Sequence, residues 1–136
     1  MRSKTVLTTF ISFVLIAFLF ASCSENKKLQ ENDKSIVSKI SFDLNLLNDD
    51  GLYGPPGGLR ALDYKFCIPK NEKFKNEVMQ IDTALQIYSG NGEKQNCSTN
   101  EYLCTGNTHR KNFRQVLLNL ASLEYVKKIE QNYWEK

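Results

Sequence analysis

The hydrophobic pattern of this 136-residue chain changes character several times. From Val6 to Phe20 runs an uncharged stretch interrupted only by Thr8, Thr9 and Ser12. Residues 24–35, SENKKLQENDKS, then hold a single aliphatic residue, Leu29. Beyond them Ile40, Phe42, Leu44 and Leu46 alternate with Ser41, Asp43 and Asn45, the period-two signature of a half-buried strand over 40–47. NDDGLYGPPGG (48–58) is dense in turn formers and reads as a loop. Leu62, Tyr64, Phe66 and Ile68 then alternate with Asp63, Lys65 and Cys67, so a second strand can return against the first as a long hairpin. Pro69 ends it, and Asn71 can cap a helix with Phe74, Val78 and Ile81 on its apolar side.

Residues 84–90 predict a short strand closed by Gly90 and Gly92, and residues 101–105 another. After the tight connection GNT (106–108), Thr108 or Asn107 is placed to cap a helix whose inner face carries Phe113, Val116, Leu117, Leu120 and Ala121. The last segment, 123–134, is ambiguous. Tyr125 and Ile129 flanking Lys127 suit a strand, while Val126, Ile129 and Tyr133 suit a continuing helix; a strand is favoured. From Leu62 onward the order is β-α-β-β-α-β. That order predicts the α+β class, a ferredoxin-like split-βαβ sandwich with 40–47 as an extra N-terminal strand and 36–136 as one domain. A core of about 75 residues is marginally stable alone, which gives a disulfide something to do.

The N-terminal pattern speaks to compartment. Arg2 and Lys4, an apolar run and then the small residues Ala21 and Ser22 have the order of a secretory signal peptide, and the run is short for a permanent span. Leu19-Phe20-Ala21-Ser22-Cys23 resembles the lipobox of bacterial lipoproteins, with Phe20 where that family more often has Leu. The resemblance implies cleavage after residue 22, a diacylglycerol on the Cys23 sulfur and an acylated amino terminus. Residues 23–35 would then be a lipidated cysteine and a flexible tether holding the domain to a membrane of the bacterial cell envelope.

Charge adds an exclusion. Of 18 basic and 15 acidic residues, Arg2 and Lys4 belong to the signal, so the remainder carries 16 basic and 15 acidic. No basic stripe survives to argue for nucleic acid. A protein or small-anion partner is compatible, and no cofactor motif is present.

With Cys23 lipidated, Cys67, Cys97 and Cys104 remain, and an exported chain favours one disulfide among them. Cys97–Cys104, across six residues, ranks slightly ahead of either pairing with Cys67. One thiol is left over. Cys104 lies five residues before His109, the chain's single histidine, and Cys67 could converge on the same place. Such a pair could supply a thiolate nucleophile, and three cysteines with a histidine could bind zinc. No C-x-x-C or nucleophile motif accompanies them, so neither catalysis nor a metal site is assigned.

DLNLLNDDG (43–51) fails as a calcium loop, because Leu46 and Leu47 fall among the ligand positions and residue 54 is Gly. In GPPGGLRA (54–61), Gly57 and Gly58 would admit a ligand to the backbone and Arg60 could grip an anion, though a plain connection suits the residues better. GNTHRK (106–111) places Arg110 and Lys111 at a helix start, where an anion could sit. Tyr133 and Trp134 are assigned to the core.

GPPGGLRALDYKFCIP and CTGNTH together resemble segments of a family of small uncharacterised bacterial proteins, which implies one compact domain over about 40–134 and no known activity. SLEYVKKIE (122–130) looks a little like the last strand of subtilase propeptide inhibitors, which share the βαββαβ order. The sequence therefore predicts a lipid-anchored binding or structural domain, with a propeptide-like inhibitor or a Cys/His thiol enzyme as alternatives.

Overall fold

The structure, a computed structural model, describes residues 25–89 and 97–133. The chain divides into residues 1–35 and 36–136. In the first unit the described residues belong to a helix, α1 (Glu25–Ser38). Residues 25–35, within the segment expected as a tether, have helical backbone; their Glu, Lys, Gln and Leu residues have good helix propensity.

The second unit is α+β, with a two-stranded and a four-stranded sheet, both antiparallel. Its elements in order are a 3₁₀ turn (Leu44–Leu46), β1 (Leu52–Tyr53), β2 (Arg60–Ala61), β3 (Asp63–Pro69), α2 (Glu72–Ile81), β4 (Gln86–Ser89), β5 (Glu101–Asn107), α3 (Phe113–Ser122) and β6 (Glu130–Gln131). The larger sheet has the order β4-β5-β3-β6. Its spine is the β3–β5 ladder, in register from Asp63↔Asn107 to Pro69↔Glu101.

Strand alternation sets the two faces of that sheet. Tyr64, Phe66 and Ile68 are buried on one face, in a cluster with Val78 of α2, all five predicted inner-face residues of α3, and Val126 and Ile129. Asp63, Lys65 and Cys67 point the other way, to the outer face. Asn71 caps α2 as predicted, its side chain accepting from the Lys73 amide at 2.8 Å.

Four expectations are corrected. Residues 40–47 are not a strand: Ile40 forms one parallel bridge to Ile129, after which the Asp43 side chain accepts from the Asn45 amide and turns the chain into the 3₁₀ segment. Local side-chain capping has won over the alternating pattern, and Leu46 is left 71% exposed. The long hairpin is consequently absent, replaced by a two-residue ladder between β1 and β2. The cap of α3 is neither Thr108 nor Asn107 but Asn112, without a side-chain hydrogen bond.

Thr108 instead joins the small hairpin to β5. It is fully buried, its hydroxyl donating to the Gly51 carbonyl at 2.6 Å and accepting from the Leu62 amide at 2.9 Å. Gly51 has φ +75°, and a Cβ there would lie 1.7 Å from the Thr108 carbonyl oxygen, so only glycine fits. Finally, the last segment, expected as a strand over 123–134, is not one strand in its described residues. Hydrogen-bonded turns occupy its start, and only Glu130–Gln131 pairs with β3.

Candidate functional site

Chemistry on this fold gathers at one end of the β3–β5 ladder. Asp82 follows α2 directly and is buried to 1% exposure. A carboxylate at a helix C-terminus opposes the helix dipole and needs compensation. Arg110 supplies it, Nη1 donating to Asp82 Oδ1 at 2.7 Å. The Ala84 amide donates to the same oxygen at 2.9 Å, and the Tyr64 hydroxyl donates to Oδ2 at 2.9 Å.

Tyr64 reaches Asp82 by lying over Gly106, its partner in the ladder. A Cβ at Gly106 would meet the Tyr64 ring at 2.4 Å, so this strand glycine marks a close approach. Burial chiefly, then the Asp82 charge and hydrogen bond, raise the Tyr64 phenol, against a smaller opposing pull from Arg110.

Beside this cluster the outer face carries two shallow cavities. One of about 220 Å³ is lined by Asp63, Gln86, Thr105, Asn107, Arg110 and Asn132, together with Ala84 and Gly106. The other, of about 200 Å³, is lined chiefly by Lys65, Cys67, Glu101, Leu103, Lys127 and Glu130. Lys128, also on its wall, pairs with Glu130 at 2.6 Å.

The sequence-predicted residues are distributed as follows. Cys67 and Cys97 form the disulfide, their Cα atoms 5.6 Å apart, and Cys104 is free and buried. The preferred Cys97–Cys104 pairing is corrected by strand alternation: Cys104 lies opposite Phe66 on the helix-covered face, whereas Cys67 faces outward. Burial pushes the Cys104 thiol up to about 12. His109, five residues on, is exposed, and its amide donates to Asn107 Oδ1 at 2.8 Å. With Cys67 oxidised and Cys104 protonated in the core, the structure brings no thiolate to the imidazole. No group of three or more Cys, His, Asp or Glu side chains poised around a metal exists among the described residues.

Gly57 and Gly58 belong to an exposed turn in which the Gly58 amide donates to the Pro55 carbonyl at 2.9 Å. Gly57, with φ +86°, fills the position a type II turn reserves for glycine. Arg60 is exposed on β2 opposite Tyr53, and Arg110 is committed to Asp82. Cys23 and Trp134 lie outside the described residues; Tyr133 is 74% exposed rather than in the core.

Comparison with protein-family models, curated proteins and solved structures returns no match.

The residues that sequence reasoning missed are therefore the centre of the site. Tyr64 was legible only as core, but two signals pointed to its neighbours: an acidic residue closing an apolar helix (Asp82) and an isolated glycine inside a strand (Gly106).

Three weak acids, Tyr64 and Cys104 buried and Tyr125 half-buried, predict an alkaline limit to stability. Cys104 is raised from 9.0 to about 12, and Tyr64 and Tyr125 rise from 10.0, Tyr125 through burial and its hydrogen bond to Glu77. Each is harder to ionise folded than unfolded, so its contribution is complete below the unfolded value and is lost as pH rises through the folded one. The urea midpoint is expected to stay level to about pH 9 and then fall steadily. In Cys104→Ala the fall should begin near pH 10, where the tyrosines start to matter. A midpoint that stays level to pH 11 contradicts this placement of the three groups.

Proposed function

We propose that the chain is a bacterial envelope lipoprotein, anchored through lipid on Cys23, whose folded domain binds its partner on the sheet face turned away from α2 and α3. The observation that carries this is the Cys67–Cys97 disulfide on that outer face beside two polar cavities. A disulfide in a small domain fits an oxidising compartment outside the cytoplasm. The lipobox-like LFASC supports the same address. No helix among the described residues is long and apolar enough to cross a membrane, so attachment in this reading rests on the lipid.

The strand order β4-β5-β3-β6, with α2 and α3 as the two crossovers on one face, supports a ferredoxin-like split-βαβ arrangement for the sandwich. Such an architecture leaves one sheet face free of its own helices. A thiol enzyme draws no support from an oxidised Cys67 and a buried Cys104. The outer face, with amides, hydroxyls and charges at its cavities, suits recognition.

Intact mass of the protein purified from membranes tests the anchor. The expected mass is that of residues 23–136 plus acyl chains. Denatured but unreduced, it should take up one alkyl group, at Cys104; after reduction it should take up three. Loss of residues 1–22 without added lipid overturns the lipoprotein reading.

A further inference from the structure

We propose that the cavity lined by Asp63, Gln86, Thr105, Asn107, Arg110 and Asn132 binds one neutral sugar ring, a proposal that rests on the outer face being the binding surface.

The first observation is a hydroxyl with nothing to bond. Thr105 keeps only 8% of its surface exposed and lines the cavity, yet among the described residues its hydroxyl has no hydrogen-bond partner. Buried polar groups are nearly always paired, because desolvation without a partner is unfavourable. A hydroxyl held open in a cavity wall is explained by something that enters the cavity.

Charge then selects what enters. The sequence suggests that an anion could sit at Arg110, but its guanidinium is paired with Asp82, and the cavity wall itself carries the Asp63 carboxylate. Paired with Asp82, Arg110 brings no unbalanced positive charge to the cavity for an anion. The remaining wall is made of planar amides, each with a donor and an acceptor on adjacent atoms. Asn107 Nδ2 donates to Asp63 Oδ1 at 2.6 Å, which fixes that amide. The Tyr88 hydroxyl donates to Gln86 Oε1, which orients the Gln86 amide with its NH₂ group as the remaining donor.

A neutral ligand carrying closely spaced groups that both donate and accept is a polyol. Tyr88 lies two residues along β4 from Gln86, hence on the same face, with 43% of its surface exposed. Tyr88 is outside the cavity lining, and its ring offers a flat apolar surface beside Gln86 for the C–H face of a pyranose that extends past the rim. The cavity's size suits one ring. The cavity's 220 Å³ equals about seven water volumes at roughly 30 Å³ each. It is smaller than the pockets of about 300–1,000 Å³ that hold drug-sized ligands. Ala84 and Gln86 at its rim are exposed, so entry needs no opening of the fold.

The test is an NMR titration of the full chain in detergent micelles. Glucose and N-acetylglucosamine are the probes, with inorganic phosphate and choline as charged controls. A sugar is expected to shift the Thr105 and Gly106 backbone amides and the Gln86 and Asn132 side-chain amides, while the charged controls leave them in place. Thr105→Val should weaken sugar binding about three- to tenfold, the loss of one hydrogen bond. It should do so with the melting temperature unchanged or raised, since the hydroxyl removed has no partner in the protein.

A fall in melting temperature would make the hydroxyl structural and overturn the proposal. So would the absence of sugar shifts, or a response to phosphate or choline in their place. Sugar shifts confined to Lys65 and Leu103 would keep the outer face as a binding surface but remove this cavity from it. A mass without lipid, by contrast, would overturn the envelope reading and leave the cavity's chemistry as it stands.

Discussion

Replacing Cys67 and Cys97 together by alanine is expected to cost roughly 3–4 kcal/mol, a large share of the domain's stability. The bond closes a loop of 30 residues. In the chain-entropy account, a cross-link of that span removes about 3–4 kcal/mol of conformational freedom from the unfolded chain. A domain of this size has only about 5–15 kcal/mol in total, so the variant should lose much of its folded population near 37 °C. Cys97 is also buried to 1%, so its truncation loses contacts as well as the cross-link. The measurement is the urea midpoint of the oxidised protein against the Cys67→Ala/Cys97→Ala variant, with reduced wild type as a third sample. Reduced wild type should fall close to the variant. A shift under about 1 kcal/mol would mean that the ladder and helix packing hold the domain without the bridge.

Why that pairing was hard to foresee is instructive. Cys97 and Cys104 are close in sequence, and a short loop is an easy staple to imagine. The face each cysteine occupies depends on strand register, and the sequence does not display register for β5. Once Phe66↔Cys104 and Cys67↔Leu103 are paired, Cys104 points into the core and its bridge to Cys97 is excluded. The elements whose burial depends on their own periodicity were legible: the Leu62–Ile68 alternation, the Asn71 cap and the inner face of α3. The 40–47 alternation was equally regular but misled, because Asp43 offered the backbone a local partner and Ile40 found Ile129 instead of a hairpin mate.

The candidate site was less legible for a physical reason. Its members come from four separated places, β3, the end of α2, β5 and the approach to α3, and none carries a motif. Arg110 was visible as a cation near a helix start, yet its role follows from Asp82, 28 residues away, which no local pattern connects to it. Thr105 was read simply as the end of a strand. Only the cavity and the missing hydrogen bond single it out.

The Asp82 cluster also sets the second large effect: Asp82→Ala is expected to destabilise the domain by about 2–4 kcal/mol. The carboxylate is fully buried and accepts three hydrogen bonds, from Tyr64, Ala84 and Arg110. Removing one partner of a buried ion pair generally costs about 3–5 kcal/mol, because the other charge is left uncompensated. Arg110 keeps 26% of its side chain in solvent and can turn toward water, which reduces that figure. The Tyr64 hydroxyl has no such escape. It lies at 1% exposure against Gly106 and would be stranded without an acceptor. Adding Tyr64→Phe to Asp82→Ala should therefore recover about 1 kcal/mol, even though Tyr64→Phe alone is destabilising. Urea midpoints of the two single variants and the double variant measure this coupling. A purely additive cycle would mean that the hydroxyl and the carboxylate do not depend on each other. A coupled one ties the positions of β3, α2 and Arg110 to a single buried carboxylate, and with them the wall of the cavity.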